Sequence, residues 1–303
     1  MERSDMRTAL FASTSVVALT LGVLPGSLPA AAERAPAATP ASSSTTNPTP
    51  TTPDAAAPAA PGSAESPSHR RAPRDIVDLS AVAPTILHDI RYRTSHNFVG
   101  RPIDGYAEPR CLLTRAAATR LAQVQRDVRR QGYTLKVYDC YRPQRAVDHF
   151  VRWAKRPGDV RMKREFYPRV DKSRLFADGY IAEKSGHSRA STVDLTLVKL
   201  PGHRQPRWTP RAGLQPCYWP ARARFRDNSI DMGTGYDCFD TRSHTADPRS
   251  TRAQRANRAL LVAAMQGRGF TNLAEEWWHY TLAAEPYPNT YFDFPVARRS
   301  LGR

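Results

Sequence analysis

From Ala35 to Ser68, 30 of 34 residues are Ala, Pro, Ser or Thr. Such a stretch has almost nothing to bury, so nothing offsets the entropy of ordering it. It reads as an extended, disordered linker, and any packed core must lie beyond it. The residues in front are equally restrictive. Arg3 and Arg7 precede an apolar run from Ala9 to Leu24, and Ala30-Ala31-Ala32 offers a small-residue cleavage site. That order is the order of a secretory signal. An uncleaved anchor is the alternative, but the apolar run is short and broken by Gly22. The expected organisation is a signal at 1–32, a linker at 33–73 and one folded domain at 74–303. The expected location is exported: secreted, periplasmic or wall-associated. No later stretch is long and apolar enough to span a membrane, and there is no internal repeat.

Export carries the chain into an oxidising compartment, where Cys111, Cys140, Cys217 and Cys238 are able to pair. Four cysteines allow three pairings; 111–140 with 217–238 is favoured. None of the four has C-x-x-C spacing, which argues against a structural zinc knuckle. The net charge of +17 arises wholly after residue 73, from 40 basic against 23 acidic groups. A basic domain suits an anionic partner such as peptidoglycan or another anionic wall polymer. Only six of the 45 basic residues are Lys, however, a bias that coding preference explains equally well. The charge is dispersed and no nucleic-acid-binding motif is present, so nucleic acid is not an expected partner.

Within the folded part, Ala117, Leu121, Val124 and Val128 recur at helical spacing over Thr114–Arg130, with Thr114 as cap and Gly132 as stop. Tyr133–Asp139 alternates Leu135 and Val137 against Lys136 and Tyr138 and predicts a strand. Pro143 opens a second helix to about Lys155. Thr192–Val198 predicts a strand, Arg249–Arg268 a third helix with Leu260, Leu261, Ala264 and Met265 inward, and Glu276–Leu282 a closing strand. Helices and strands do not alternate regularly, which favours α+β over a doubly wound sheet.

Three separated pieces carry chemistry. In Ser185-Gly186-His187-Ser188-Arg189-Ala190-Ser191-Thr192-Val193-Asp194, imidazole and carboxylate are both good zinc ligands. Their spacing of seven cannot place both on one face of a regular strand. His187 must therefore sit in a turn before the strand that carries Asp194. Alone, the pair occurs by chance in many chains. In Glu275-Glu276-Trp277-Trp278-His279-Tyr280, a spacing of three brings Glu276 and His279 together on a helix or a bulged strand. Zinc sites commonly pair a ligand His with a Glu that moves a proton of the attacking water; a core Trp pair beside an exposed acid is the plainer reading. The third piece, Val137-Tyr138-Asp139-Cys140-Tyr141-Arg142-Pro143, puts an Arg at a strand-to-helix corner. There it could stabilise an oxyanion or form an ion pair with a neighbour such as Asp139.

Taken together, Ser-x-His-x6-Asp, Glu-Trp-Trp-His, Tyr-Arg-Pro and Asp231-Met232-Gly233-Thr234-Gly235-Tyr236-Asp237 resemble the zinc D-alanyl-D-alanine dipeptidases, including the vancomycin-resistance dipeptidases. The resemblance runs from about Asp75 to Phe294. It implies the fold shared by D,D-peptidases and the hedgehog signalling domain, an antiparallel sheet flanked by helices. It implies one zinc per chain on His187, Asp194 and His279, Glu276 as general base and then acid, and Arg142 at the tetrahedral intermediate. Asp231 would help hold the substrate's ammonium group, with Ser185 and Asp237 as further substrate contacts. The implied substrate is a small D-amino-acid dipeptide. Ala190 and Thr192 depart from the Gly and Ala expected there. Cys140 stands where the family usually has Gly, so that a disulfide would fix Arg142 or narrow the site. Export leaves two alternatives: a D,D-carboxypeptidase acting on peptidoglycan stem peptides, and a basic envelope-binding protein without catalysis. Retention of Glu276 and Arg142 argues against the second.

Overall fold

The computed structural model describes residues 71–209 and 213–302; the expected signal and nearly all of the expected linker lie outside the described residues. In chain order the elements are β1 (Ile76–Asp78), α1 (Leu79–Val82), β2 (Leu87–His88), β3 (Leu112–Thr114), α2 (Arg115–Arg130), β4 (Tyr133–Asp139), α3 (Gln144–Ala154), α4 (Lys163–Phe166), β5 (Thr192–Lys199), α5 (Arg252–Gln266), β6 (Phe270–Asn272) and β7 (His279–Leu282). The result is a mixed α/β domain. No helix among the described residues is long and apolar enough to cross a membrane.

The main sheet has the order β2-β4-β5-β7-β6, and a separate ribbon joins β1 to β3. It is antiparallel except at one edge, where the two-residue β2 runs parallel to β4. Helix α2 starts where the sequence predicts: the Thr114 side chain accepts from the Ala117 amide, which occupies one of the first turn's unpaired donors. Its apolar stripe of Leu121, Val124 and Val128 is wholly buried, and it packs on β4 and α5. The pairs Leu135–Leu197 and Val137–Leu195 line one face of the sheet. By the two-residue period, Asp194 and Thr196 point to the other face.

That other face departs from the expected alternation, because Lys136 and Tyr138 are buried as well. The long segment between β5 and α5 covers them: Lys136 Nζ donates to Gln205 and Asn228, and Tyr138 donates to Asp227. Helix α5 begins at Arg252 rather than Arg249, because Thr251 and Gln254 form a reciprocal capping box. Of its expected inward residues, Leu261 and Met265 are buried and Leu260 and Ala264 half-buried. Arg258 is buried too, its guanidinium donating to the carbonyls of Met232 (2.7 Å) and Arg242 (2.9 Å). The closing strand is shorter than Glu276–Leu282, since Glu276 lies in a turn that leads into β7. Both favoured disulfides, Cys111–Cys140 and Cys217–Cys238, are present.

Candidate active site

The corner after β4 sets the first wall of the site. Pro143, with φ −58°, caps α3 and turns the chain, leaving Arg142 between strand and helix. The Arg142 Nε donates to Asp139 Oδ2 at 2.9 Å, and its Nη2 stands 3.6 Å from Asp194 Oδ2. The guanidinium lies over the rings of Tyr92 (5.0 Å) and Phe150 (5.4 Å). Burial opposes its charge, but the surrounding acids and tyrosines hold it well above the usual guanidinium range. Arg142 is thus an ion-pair partner of Asp139 and a cation facing the cavity at once.

His187 sits in a single 3-10 turn, Gly186–Arg189, ahead of β5. The Ser185 side chain caps the turn by accepting from the His187 amide at 3.3 Å, and Ala190 ends it in the left-handed conformation with φ 60°. That conformation explains why a Gly is expected at this position. The His187 Nδ1 lies 2.7 Å from the Cys140 carbonyl. A carbonyl only accepts, so the proton is on Nδ1 and Nε2 offers a lone pair. Burial lowers the His187 pKa and favours this neutral form.

Asp194 on β5 pairs directly with His279 on β7 across the ladder. The atoms His187 Nε2, Asp194 Oδ1 and His279 Nδ1 form a nearly equilateral triangle, with edges of 3.2, 3.2 and 3.3 Å. A tetrahedral ion with ligand bonds of about 2.0–2.2 Å separates its donor atoms by about 3.3–3.6 Å. Asp194 Oδ1 is buried without a hydrogen-bond donor, whereas Oδ2 accepts from Tyr236 at 2.9 Å. Burial alone would raise the Asp194 pKa, but His187 and His279 hold it well below the usual carboxylate range. The His279 pKa is raised despite burial, because Asp194 and Glu276 favour a cation there. Two imidazoles and one carboxylate, converging and mostly buried, fit a divalent metal.

Glu276 and His279 meet neither on a helix nor on a bulge. A turn closed by the His279 amide donating to the Glu276 carbonyl (3.2 Å) puts Glu276 Oε2 3.5 Å from His279 Nδ1. Burial raises the Glu276 carboxyl to about 6, with Asp194 adding to the shift and His279 and Arg142 opposing it. The plainer reading of the motif holds for the Trp pair but not for the acid: Trp277 and Trp278 are both core residues, packed edge to face at 5.2 Å, whereas Glu276 is half-buried. Trp277 donates to Thr234 at 2.8 Å.

A cavity of about 230 Å³ joins these groups, with Arg142, Ser185, Asp194, Asp237, Glu276 and His279 in its wall. Asp237 has φ +56° and accepts from the Tyr92 hydroxyl at 2.8 Å. Burial, reinforced by Asp194, pushes its carboxyl well above the ordinary value. Asp231 is not brought to this cavity. Its carboxylate is taken up by Arg224 (2.8 Å), Gln254 (2.8 Å) and the Gly233 amide (2.9 Å), so it anchors the loop to α5. Sequence reasoning gave no role to Tyr92 or Tyr236. Tyr236 lies inside a quoted motif, whereas nothing around Tyr92 marks it out.

Comparison with known proteins gives a consistent set of matches. A peptidase M15 family model described as D-ala-D-ala dipeptidase matches residues 73–204 and 224–297. A D-alanyl-D-alanine dipeptidase of Streptomyces coelicolor is 39% identical over 223 residues, which are 74% of this chain and 98% of that protein. One from Enterococcus faecalis is 38% identical over 209 residues, covering 69% and 92%. One from Escherichia coli is 31% identical over 215 residues, covering 71% and 88%.

Proposed function

Because the chain belongs to the D-ala-D-ala dipeptidase family of M15 peptidases, and so to the metallopeptidases, we propose that it hydrolyses the D-alanyl-D-alanine dipeptide with one zinc ion per chain. The observation that carries this reading is the triangle of His187, Asp194 and His279, two of whose members, Asp194 and His279, line one small cavity together with Glu276 and Arg142. The two-imidazole, one-carboxylate donor set suits zinc and other transition ions over magnesium or calcium, and zinc is the member of that group that the resemblance implies. When bound, it supplies Lewis acidity toward the peptide carbonyl and the attacking water.

The chain's own residues do the rest. Glu276, with a carboxyl poised near 6, takes a proton from the attacking water and returns it to the leaving amine. Arg142, held by Asp139, faces the oxygen on which negative charge develops. Asp237, supported by the Tyr92 hydroxyl that donates to it, accepts from the ammonium end of the substrate. That positive charge favours the ionised carboxylate that burial opposes. Ser185 contributes a hydroxyl to the same cavity wall. A cavity of about 230 Å³ lies below the roughly 300–1,000 Å³ usual for larger ligands. That size supports a free dipeptide over the end of a peptidoglycan stem. The inferred fold is the hedgehog and D,D-peptidase type, and the inferred setting is outside the cytoplasm, in cell-wall peptide turnover or glycopeptide resistance. There the basic surface would meet anionic wall polymer.

The test is amine release from D-Ala-D-Ala and from a stem pentapeptide by the wild-type chain and Glu276→Gln, with zinc content measured in both. Cleavage of the dipeptide alone, lost in Glu276→Gln with zinc retained, is expected. Preferential cleavage of the pentapeptide would move the chain to the carboxypeptidases. Zinc-loaded protein that turns over neither would overturn the reading.

A further inference from the structure

The carbonyl that fixes the His187 tautomer belongs to Cys140, and Cys140 is bonded to Cys111. We propose that the Cys111–Cys140 disulfide is a positioning element of the metal centre, so that oxidation of this pair sets the chain's affinity for its metal. The inference rests on the metal reading above and adds the device that holds its first ligand in place.

Cys140 lies just past the end of β4, where the register with β5 has already shifted between Val137 and Asp139. The carbonyl facing His187 therefore sits on backbone that no named strand pairing holds. Its neighbours matter for the same site: Asp139 orients Arg142, and the Arg142 amide donates to the His187 carbonyl at 3.3 Å. One short corner thus aims both a metal ligand and the oxyanion group.

Cys111, in contrast, is well anchored. Its carbonyl accepts from Leu79 at 2.9 Å, and the next three residues form β3, paired with β1. From β3, the Thr114 amide donates to the Ala190 carbonyl at 2.7 Å, at the far end of the His187 turn. The disulfide therefore closes a frame: β3 holds the end of the His187 turn, and the covalent link holds the carbonyl on which the ring rests. Both cysteines are buried, at 0% and 1% exposure. The Tyr141 amide, donating to Leu112 at 3.0 Å, is the only other backbone tie of this corner to β3 among the described residues. Cutting the disulfide frees the Cys140 carbonyl to move and the imidazole to rotate away from the triangle. Loss of such an outer contact typically weakens metal binding by about 10–100-fold. The disulfide Cys217–Cys238 flanks Asp237 instead, and its two carbonyls accept from Gly235 and Ser243.

The experiment measures zinc dissociation constants, by competition with a chromophoric chelator, for the full oxidised chain and for C111A/C140A and C111S/C140S. Val128→Ala serves as control, since it removes buried methyls at the far end of α2 without touching the corner. Wild type is expected to bind one zinc, both cysteine pairs to bind it about 10–100-fold more weakly, and their cobalt-substituted forms to show a shifted visible spectrum. Val128→Ala should lower Tm and leave affinity and spectrum unchanged. Zinc affinity of the pairs within twofold of wild type, or equal weakening in Val128→Ala, overturns the proposal. Absence of stoichiometric zinc in wild type overturns the metal reading itself. Should neither pair fold, the cobalt-loaded wild-type chain is reduced with a phosphine. Cobalt release before loss of far-ultraviolet ellipticity supports the proposal, and release only together with unfolding overturns it.

Discussion

Tyr236 donates its hydroxyl proton to Asp194 Oδ2 at 2.9 Å, and this single bond divides the labour of the carboxylate. One oxygen is occupied, and the other faces His187 and His279. The ring cannot swing away, because it stacks on Tyr138 at 4.4 Å and meets Trp278 edge-on at 5.6 Å.

Tyr236→Phe should therefore keep the fold and loosen the metal. The lost hydrogen bond costs about 1 kcal/mol of stability, while metal affinity should fall by roughly 10-fold. Isothermal titration with zinc, beside a thermal melt of the metal-free protein, separates the two effects.

Arg142→Lys should lower kcat by about 10²–10³-fold with KM changed only a few-fold. A single ammonium cannot bond Asp139 through one nitrogen and present a second to the cavity, as the guanidinium does. Unchanged kcat would remove Arg142 from the chemistry and leave it as the ion-pair partner of Asp139.

Folding stability should fall in acid partly through Asp227. Burial alone would raise its carboxyl, but Lys136 and Arg91 outweigh burial and hold it well below the ordinary value. A depressed carboxyl contributes stability that is complete above its unfolded value of about 3.9 and is lost as pH falls below it. Asp227→Asn should cost about 3 kcal/mol, because it removes the carboxylate facing buried Lys136 and Arg91 while Arg91 keeps its pair with Asp89, and should flatten the dependence of Tm on pH below about 4. Melts of both proteins from pH 2.5 to 7 test this.

Ala190→Gly should stabilise the domain. Ala190 is buried with φ 60°, a conformation that costs an L residue about 1–2 kcal/mol; the extra freedom of Gly in the unfolded chain takes back about 0.4–1 kcal/mol. A net gain on the order of 0.5 kcal/mol should appear as a higher midpoint in urea at unchanged slope. A lower midpoint would mean that the Ala190 methyl contributes more packing than its backbone costs.

The residues proposed to carry the chemistry were legible because their types are restrictive. Few side chains can replace His187, Asp194, His279 or Glu276 at a metal centre, and their spacing demanded a turn before a strand, as found. The strands and helices with periodic apolar faces were legible for the same reason. What escaped depends on contacts made across long stretches of chain. Lys136 and Tyr138 read as the wet side of a strand, because nothing local shows that residues 205, 227 and 228 will cover them. Asp231 carried the right chemistry in the right motif, yet its three partners come from its own loop and α5. Tyr92 and the Cys140 carbonyl act through partners far along the chain, and a backbone carbonyl has no signature in a sequence at all.

The direct pairing of Asp194 with His279 across β5 and β7 has a consequence for how such a chain can change. The polypeptide leaves the sheet after β5 and does not return until β6 and β7, and the stretch absent from the family match, residues 205–223, lies inside that excursion. Length within 205–223 can change without separating Asp194 from His279, since the two proposed ligands meet through strand pairing and not through chain distance. A one-residue insertion within either strand is another matter, because it would turn a ligand to the opposite face of the sheet. Indels should therefore accumulate in residues 205–223 and be purged from the eight residues of β5 and the four of β7.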